Sequence, residues 1–333
     1  MTELTKLYPM VQIKKNTWEI DEFDCASIFL LIGTEKAMVI DCGMGIGDLR
    51  GAIEMITDKP LICVISHGHI DHTANARQFG EIWLNPKDQG IEIPMNYARR
   101  RYDTEHIAQR QKGSIGAPYN MYRLYAYDIE VDLREPGPDE PMPVIHDLTD
   151  GMQFDLGGRT VTAYECPGHT AGEMVFIDDQ THLMFAGDAL NFNLGIGAVP
   201  VETTLKALRR LQAMQDQYTG IFNGHHDFRP LGMPLDDDCL PTVISMCEDI
   251  VAGHYSACTV PSFWGQPMPL SASDKSDFLP KDAPPMNANK PQPPRKRVTY
   301  RKGRNFLGFN PNLIHEESAR VYSFCFFLML DFF

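Results

Sequence analysis

No two cysteines in this chain stand in a CxxC pair. The eight are scattered, at positions 25, 42, 63, 166, 239, 247, 258 and 325. That spacing gives no disulfide framework, and reduced thiols in a cytoplasmic protein are expected, most of them as small core residues. No apolar run reaches the ~20 residues that span a bilayer. None follows the basic residues of MTELTKLYPMVQIKKNTWEI, so neither a membrane span nor a signal peptide is expected. No internal repeat is evident. Positive charge is in deficit: 30 Lys and Arg stand against 44 Asp and Glu, a formal net charge of −14. Such a surface repels nucleic-acid phosphates and anionic membranes. An anionic substrate would need a local cation, such as a metal.

What is present is a core. Hydrophobic residues make up 43% of 333, enough for one large α/β domain with decorations or for two modest domains. CASIFLLIG (25–33) and KAMVIDCG (36–43) predict a hairpin across GTE. LICVIS (61–66) predicts a buried strand, EIWLNP (81–86) another, and GDLRGAIEMI (47–56) and DHTANARQF (71–79) predict helices. Residues 87–143 are polar and tyrosine-rich, an insertion that reads equally as a lid or as a decoration on the rim. Strand rhythm returns in MQFDLGG, RTVTAYECPG, EMVFIDD and THLMFAGD, with hairpin turns at GG and DDQ. TTLKALRRLQAMQ (203–215) is an amphipathic helix, GIFNGHH (220–226) a strand and loop, and 234–253 a further helix. A main domain over 1–255 and a proline-rich extension over 256–333 are expected, with basic KRVTYRKGR (296–304) as a solvated strand or hairpin. The apolar end, 319–333, fits a buried strand, an interfacial patch or an aberrant terminus.

Three of the 11 histidines fall within SHGHIDH (66–72). In extended chain His67 and His69 point the same way and can grip one ion. As the chain turns into a helix, Asp71 and His72 swing to a neighbouring point, giving half of two adjacent metal sites. Other strand ends offer the remaining donors: His169 in CPGHTAG, Asp188 in FAGDAL and His225 in NGHHD, with His226 a less favoured neighbour. Asp41, closing MVID, is placed to orient a histidine from behind. These are nitrogen and oxygen donors rather than the cysteines of structural zinc. Seven donors over two ions, with Asp188 shared, leave room for water, as in a hydrolytic dinuclear centre.

In order, VIDCG, SHGHIDH, CPGHTAGEM, FAGDA and NGHH resemble the metallo-β-lactamase fold superfamily, in particular its glyoxalase II-like hydrolases. The resemblance implies an αββα sandwich: two mixed β-sheets face to face, helices outside, metals at one sheet edge. It places His67, His69 and His169 on a first metal and Asp71, His72 and His225 on a second, with Asp188 between. Two Zn²⁺ are the default, with iron and manganese open. The activity expected is hydrolysis of a thioester, ester or lactone of a small molecule, a metal-bridging hydroxide attacking the carbonyl carbon. Asp71 and Asp188 are the expected catalytic carboxylates, Asp71 relaying a proton. Substrate contacts are expected from Asn191 and Asn193, from Tyr119 and Tyr122, and from Phe228 and Arg229. The basic glutathione-binding pattern of true glyoxalase II is missing. Two rivals share the motifs: a single-iron oxygenase resembling persulfide dioxygenases, and an RNA phosphodiesterase, which the acidic balance disfavours. Oligomeric state is open, a homodimer included.

Overall fold

The computed structural model describes residues 4–22, 25–91, 141–225, 229–258 and 297–317, with 98, 101, 260–261 and 267–268 besides. Most of the 87–143 insertion, with Tyr119 and Tyr122, lies outside the described residues, as do His226, Phe228 and the apolar end 319–333.

The first sheet runs in chain order: β1 (Met10–Lys14), β2 (Thr17–Asp21), β3 (Ser27–Ile32), β4 (Ala37–Ile40), β5 (Leu61–Val64), β6 (Glu81–Leu84) and β7 (Val144–Asp147). It is antiparallel as far as β4 and parallel from β4 to β7. The second holds β8 (Gln153–Asp155), β9 (Thr160–Glu165), β10 (Met174–Asp178), β11 (Leu183–Phe185) and β13 (Gly220–Phe222), ordered β13-β11-β10-β9-β8. Two short sheets complete the strands. β12 (Asn193–Gly195) joins a hairpin of β16 (Val298–Lys302) and β17 (Asn305–Phe309), and β14 (Val260–Pro261) pairs with β15 (Pro267–Met268).

The continuous apolar run SIFLLI of β3 follows from burial on both faces. Phe29 and Leu31 point inward, meeting Phe176, Phe185 and Phe222 of the second sheet. Ile28, Leu30 and Ile32 point outward to Leu49, Ala52 and Ile53 of helix α1 (Leu49–Glu54). Asp48 caps α1, its carboxylate accepting from Gly51 N at 2.9 Å. Outside the second sheet, Val175, Ile177 and Met184 meet α3 (Val201–Ala213) and α4 (Cys239–Val251). The chain therefore forms the expected sandwich. Arg159 bolts its layers together. It pairs with Asp178 at 2.8 Å and donates to Asn16 O, at 2.8 Å, and Thr17 Oγ1, at 2.7 Å, on the other sheet's rim.

Two elements differ from expectation. DHTANARQF is not one helix. α2 (Ile70–Thr73) stops after four residues and a 3₁₀ turn covers Ala76–Gln78. The His72 carbonyl accepts from Cys42 N at 3.0 Å and from Cys42 Sγ at 3.2 Å, which takes the acceptor that a continuing helix would need at residue 76. The basic hairpin is also less solvated than its charge suggests, because Val298, Leu307 and Phe309 are buried in the same core as α3 and α4. No helix among the described residues is long and apolar enough to cross a membrane.

Candidate metal centre

The donors converge at the seam between the sheets. β5 ends at Val64, and His67, His69, Asp71 and His72 follow on the loop and first turn of α2. From the second sheet come His169 after β9, Asp188 after β11 and His225 after β13. Three groups have geometry that could hold an ion: His67 with His69 and His169, His67 with Asp71 and His72, and His72 with Asp188 and His225.

In the first group, His69 Nδ1 lies 3.1 Å from His67 Nε2 and 2.9 Å from His169 Nε2. Tetrahedral ligands at zinc–nitrogen bond lengths would sit about 3.3 Å apart. Asp188 reaches both sides. Its Oδ2 lies 3.5 Å from His169 Nε2 and 3.4 Å from His225 Nε2, and its Oδ1 lies 3.9 Å from His72 Nε2. Asp71 Oδ2 stands 3.4 Å from His225 Nε2 and 3.7 Å from His72 Nε2. Gly224 admits this closeness: a Cβ there would lie 2.7 Å from His72 Cε1 and 2.9 Å from Asp188 Oδ1.

Whether the site fits a cation can be tested on its own polar atoms. His72 Nε2 and Asp188 Oδ1 are sealed from solvent and make no hydrogen bond. Buried polar atoms are almost always paired, and these two face each other across a gap too long for a hydrogen bond. A cation between them satisfies both, and the nitrogen and oxygen donor set suits zinc, iron or manganese.

The opposite edges of the histidines are tied down. His72 Nδ1 donates to Asp41 Oδ2 at 2.9 Å and His169 Nδ1 to Gly195 O at 2.9 Å. Asp41 also accepts from Ser66 N at 2.7 Å and Ser66 Oγ at 2.8 Å, so the carboxylate expected to orient a histidine has three donors. It does so from a left-handed backbone, φ 64°.

Electrostatics divide the donors. Burial and the neighbouring imidazoles hold His67 well below its ordinary pKa. Burial also works against charge on His72, but Asp71 and Asp41 outweigh it and raise His72 to about 9. His225 rises well above its ordinary value, its burial overcome by Asp188 and Asp71. Asp71 and Asp188 move the other way: burial pushes them up, and the adjacent histidines carry them well below the carboxylate range.

Three supporting carboxylates were not anticipated. Glu173 is fully buried, accepts from Asp188 N at 3.0 Å and stands 3.5 Å from His67 Nδ1. Burial and the charges of Asp188 and Asp88 raise it well above its ordinary range. Asp88 accepts from Gly68 N, Gly172 N and Thr170 Oγ1 at 3.0, 2.7 and 2.6 Å, joining the two donor loops. Glu22 accepts from Met44 N, from Gly45 N at 2.9 Å and from Ile46 N at 2.8 Å, holding the loop after Asp41. The one signal for Glu173 is an acid placed just before the apolar run MVFI of β10.

The expected substrate contacts fare differently. Asn191 is 8% exposed, and Asn193 is exposed on β12. Arg229 is tied into the structure. It is 6% exposed and pairs with buried Glu19 at 2.6 Å, with Nε donating to Asn223 Oδ1 at 2.8 Å. Its guanidinium, which also donates to Asn223 O at 3.1 Å, braces the loop that carries His225.

Comparison with known proteins finds several relatives. The cattle and human acyl-coenzyme A thioesterase MBLAC2 are each 25% identical over 178 residues, covering 50% of this chain and 58% of theirs. The chain thus spans little more than half the length of these relatives. An uncharacterized protein of Mycobacterium tuberculosis is 26% identical over 216 residues, 60% of this chain and 84% of its own. An atrochrysone carboxyl ACP thioesterase of Claviceps purpurea is 34% identical over 102 residues, 31% of this chain and 30% of its own. Among solved structures, a metallo-beta-lactamase from Pontibacter korlensis covers 72% of this chain and 98% of its own, at 18% identity and a TM-score of 0.47. The sequence pattern of the Metallo-beta-lactamase superfamily matches residues 21–225, and the chain belongs to that superfamily.

Proposed function

We propose that this chain is a metal-dependent hydrolase of small-molecule acyl thioesters, working with two divalent cations, zinc by default. The observation that carries the reading is the pair of sealed, unpartnered atoms, His72 Nε2 and Asp188 Oδ1, at the meeting point of the donor groups. His67, His69 and His169 would hold one ion, Asp71, His72 and His225 the other, and Asp188 would touch both. Thioesters are favoured over esters and lactones because relatives of this chain are named acyl-coenzyme A and ACP thioesterases. The seven described cysteines are free thiols, which suits a cytoplasmic location.

When bound, such ions supply Lewis-acid polarisation of the carbonyl and a coordinated water acidic enough to ionise near neutral pH. The chain's residues do the rest. Asp41 and the Gly195 carbonyl fix the tautomers of His72 and His169, so that Nε2 of each faces inward. Asp188 is anchored through its backbone N–H to Glu173, which keeps its carboxylate between the groups. Asp71, its side chain one quarter exposed, is placed to take the proton from attacking water at Oδ2 and pass it to solvent. The departing thiolate is a good leaving group, so no strong general acid is required.

The test pairs metal analysis with a thiol-release assay on acyl thioesters. Two metals per chain and hydrolysis without oxygen consumption are expected. One iron per chain with oxygen uptake would overturn the reading in favour of an oxygenase.

A further inference from the structure

One charged side chain near the Gly195 support of His169, Arg297, makes no hydrogen bond or ion pair among the described residues. Arg297 precedes β16 and shares the face that carries Thr299 and Arg301, opposite the core-facing Val298 and Tyr300. On that face two glycines stand opposite each other across the β12–β17 ladder, Gly195 and Gly308. Their missing side chains make the space the guanidinium occupies. A Cβ on Gly308 would lie 2.2 Å from Arg297 Nε, and one on Gly195 would lie 3.0 Å from an Arg297 terminal nitrogen. A side chain on Gly308 would displace the guanidinium, and one on Gly195 would press on its terminal nitrogen.

Gly195 also supplies the carbonyl that holds His169 Nδ1, so the cation rests on the same residue that positions a metal donor. Arg297 makes no hydrogen bond or ion pair among the described residues, and its Nε is sealed from solvent. Arginine cannot shed its charge to escape such a place. A half-enclosed guanidinium with no acceptor is costly unless an anion arrives. Among the described residues the other cations of the hairpin are occupied: Lys302 pairs with Asp249, Arg304 with Asp236 and Asp238, and Arg301 Nε donates to Gly303 O at 2.8 Å.

We propose that Arg297 is the specificity residue of this site, binding a carboxylate carried on the acyl group a few bonds from the scissile carbonyl. The inference rests on the thioesterase reading above. The planar fork of guanidinium matches a carboxylate with two parallel hydrogen bonds. Because it packs over Gly195, the residue whose carbonyl supports His169, it favours an anion near the reacting carbon over one at the far end of a long carrier. Asn193, on the same face of β12, lies beside the entering acyl chain.

The experiment compares two thioesters of N-acetylcysteamine, glutaryl and pentanoyl, which differ by a terminal carboxylate in place of a methyl. The full-length, metal-loaded protein should favour glutaryl in kcat/KM, and Arg297→Gln should shrink that preference about tenfold or more, mainly through KM. A binding arm needs no turnover. The enclosed Nε–H of Arg297 gives its own NMR resonance, which should shift as glutarate is added and stay still with pentanoate. A preference for pentanoyl, or one unchanged in Arg297→Gln, overturns the role of Arg297 while leaving the hydrolase reading intact. So does an Nε–H that moves with inorganic phosphate but not with glutarate. If neither thioester is hydrolysed although glutarate moves the resonance, the carboxylate site stands and the thioesterase reading falls.

Discussion

Asp41 holds His72 by a 2.9 Å hydrogen bond to Nδ1 and does so from a backbone conformation, φ 64°, that most residues avoid. The pair links a strained turn at the end of β4 to a donor on α2. Aspartate and asparagine tolerate the left-handed region better than other side chains with a Cβ, so two replacements separate strain from orientation. Asp41→Asn should keep the turn and lower metal affinity by about 10–100-fold. Asp41→Ala should do the same and lose about 1–2 kcal/mol of folding stability besides. Chelator competition and denaturant melts read the two effects.

Asp188→Ala removes the carboxylate that lies between His169 and His225. Turnover should drop by more than ~100-fold, beyond the usual effect of an outer-layer change. On the two-cation reading, bound metal should fall from two per chain to one or none, as elemental analysis would read. Full activity with two metals bound would refute the bridging role.

The raised histidines predict a pH signature in the metal-free protein. His72, lifted to about 9 by Asp71 and Asp41, is protonated at neutral pH, and His225 is shifted the same way. A raised folded-state pKa stabilises fully below the unfolded value, near 6.5, and the contribution is lost as pH climbs through the folded one. Metal-free protein should therefore lose stability between about pH 6.5 and 9. Loading with metal must displace these protons, so affinity should weaken as pH falls. Calorimetric titrations in buffers of different ionisation heat would count the protons released at neutral pH.

Arg229→Gln should cost stability rather than substrate affinity. The change leaves Glu19 buried without its partner, which costs about 3–5 kcal/mol. Denaturant midpoints should fall sharply. KM for an acyl thioester should change little in the fraction that stays folded.

The residues of the candidate metal centre were legible in the sequence because their signal is local. His67, His69, Asp71 and His72 share seven residues, and His169, Asp188 and His225 each follow glycine at or near a strand end. Their supports were not legible, for a physical reason. Asp88 and Glu22 act by collecting backbone N–H groups from distant loops, and any residue can donate a backbone N–H. The length of α2 was misjudged for the same cause, since Cys42, thirty residues upstream, claims the carbonyl that would have continued it. Arg229 read as a substrate contact because it follows the His225 loop; only the fold reveals Glu19, 210 residues away, as its partner.

The donors hang from two separate layers: His67, His69, Asp71 and His72 from the end of β5, and His169, Asp188 and His225 from the ends of β9, β11 and β13. Cations gripping both sets would clasp the sandwich shut along one rim. Heat resistance and catalysis would then share a single fastening, and a chelator should lower the melting temperature in step with activity.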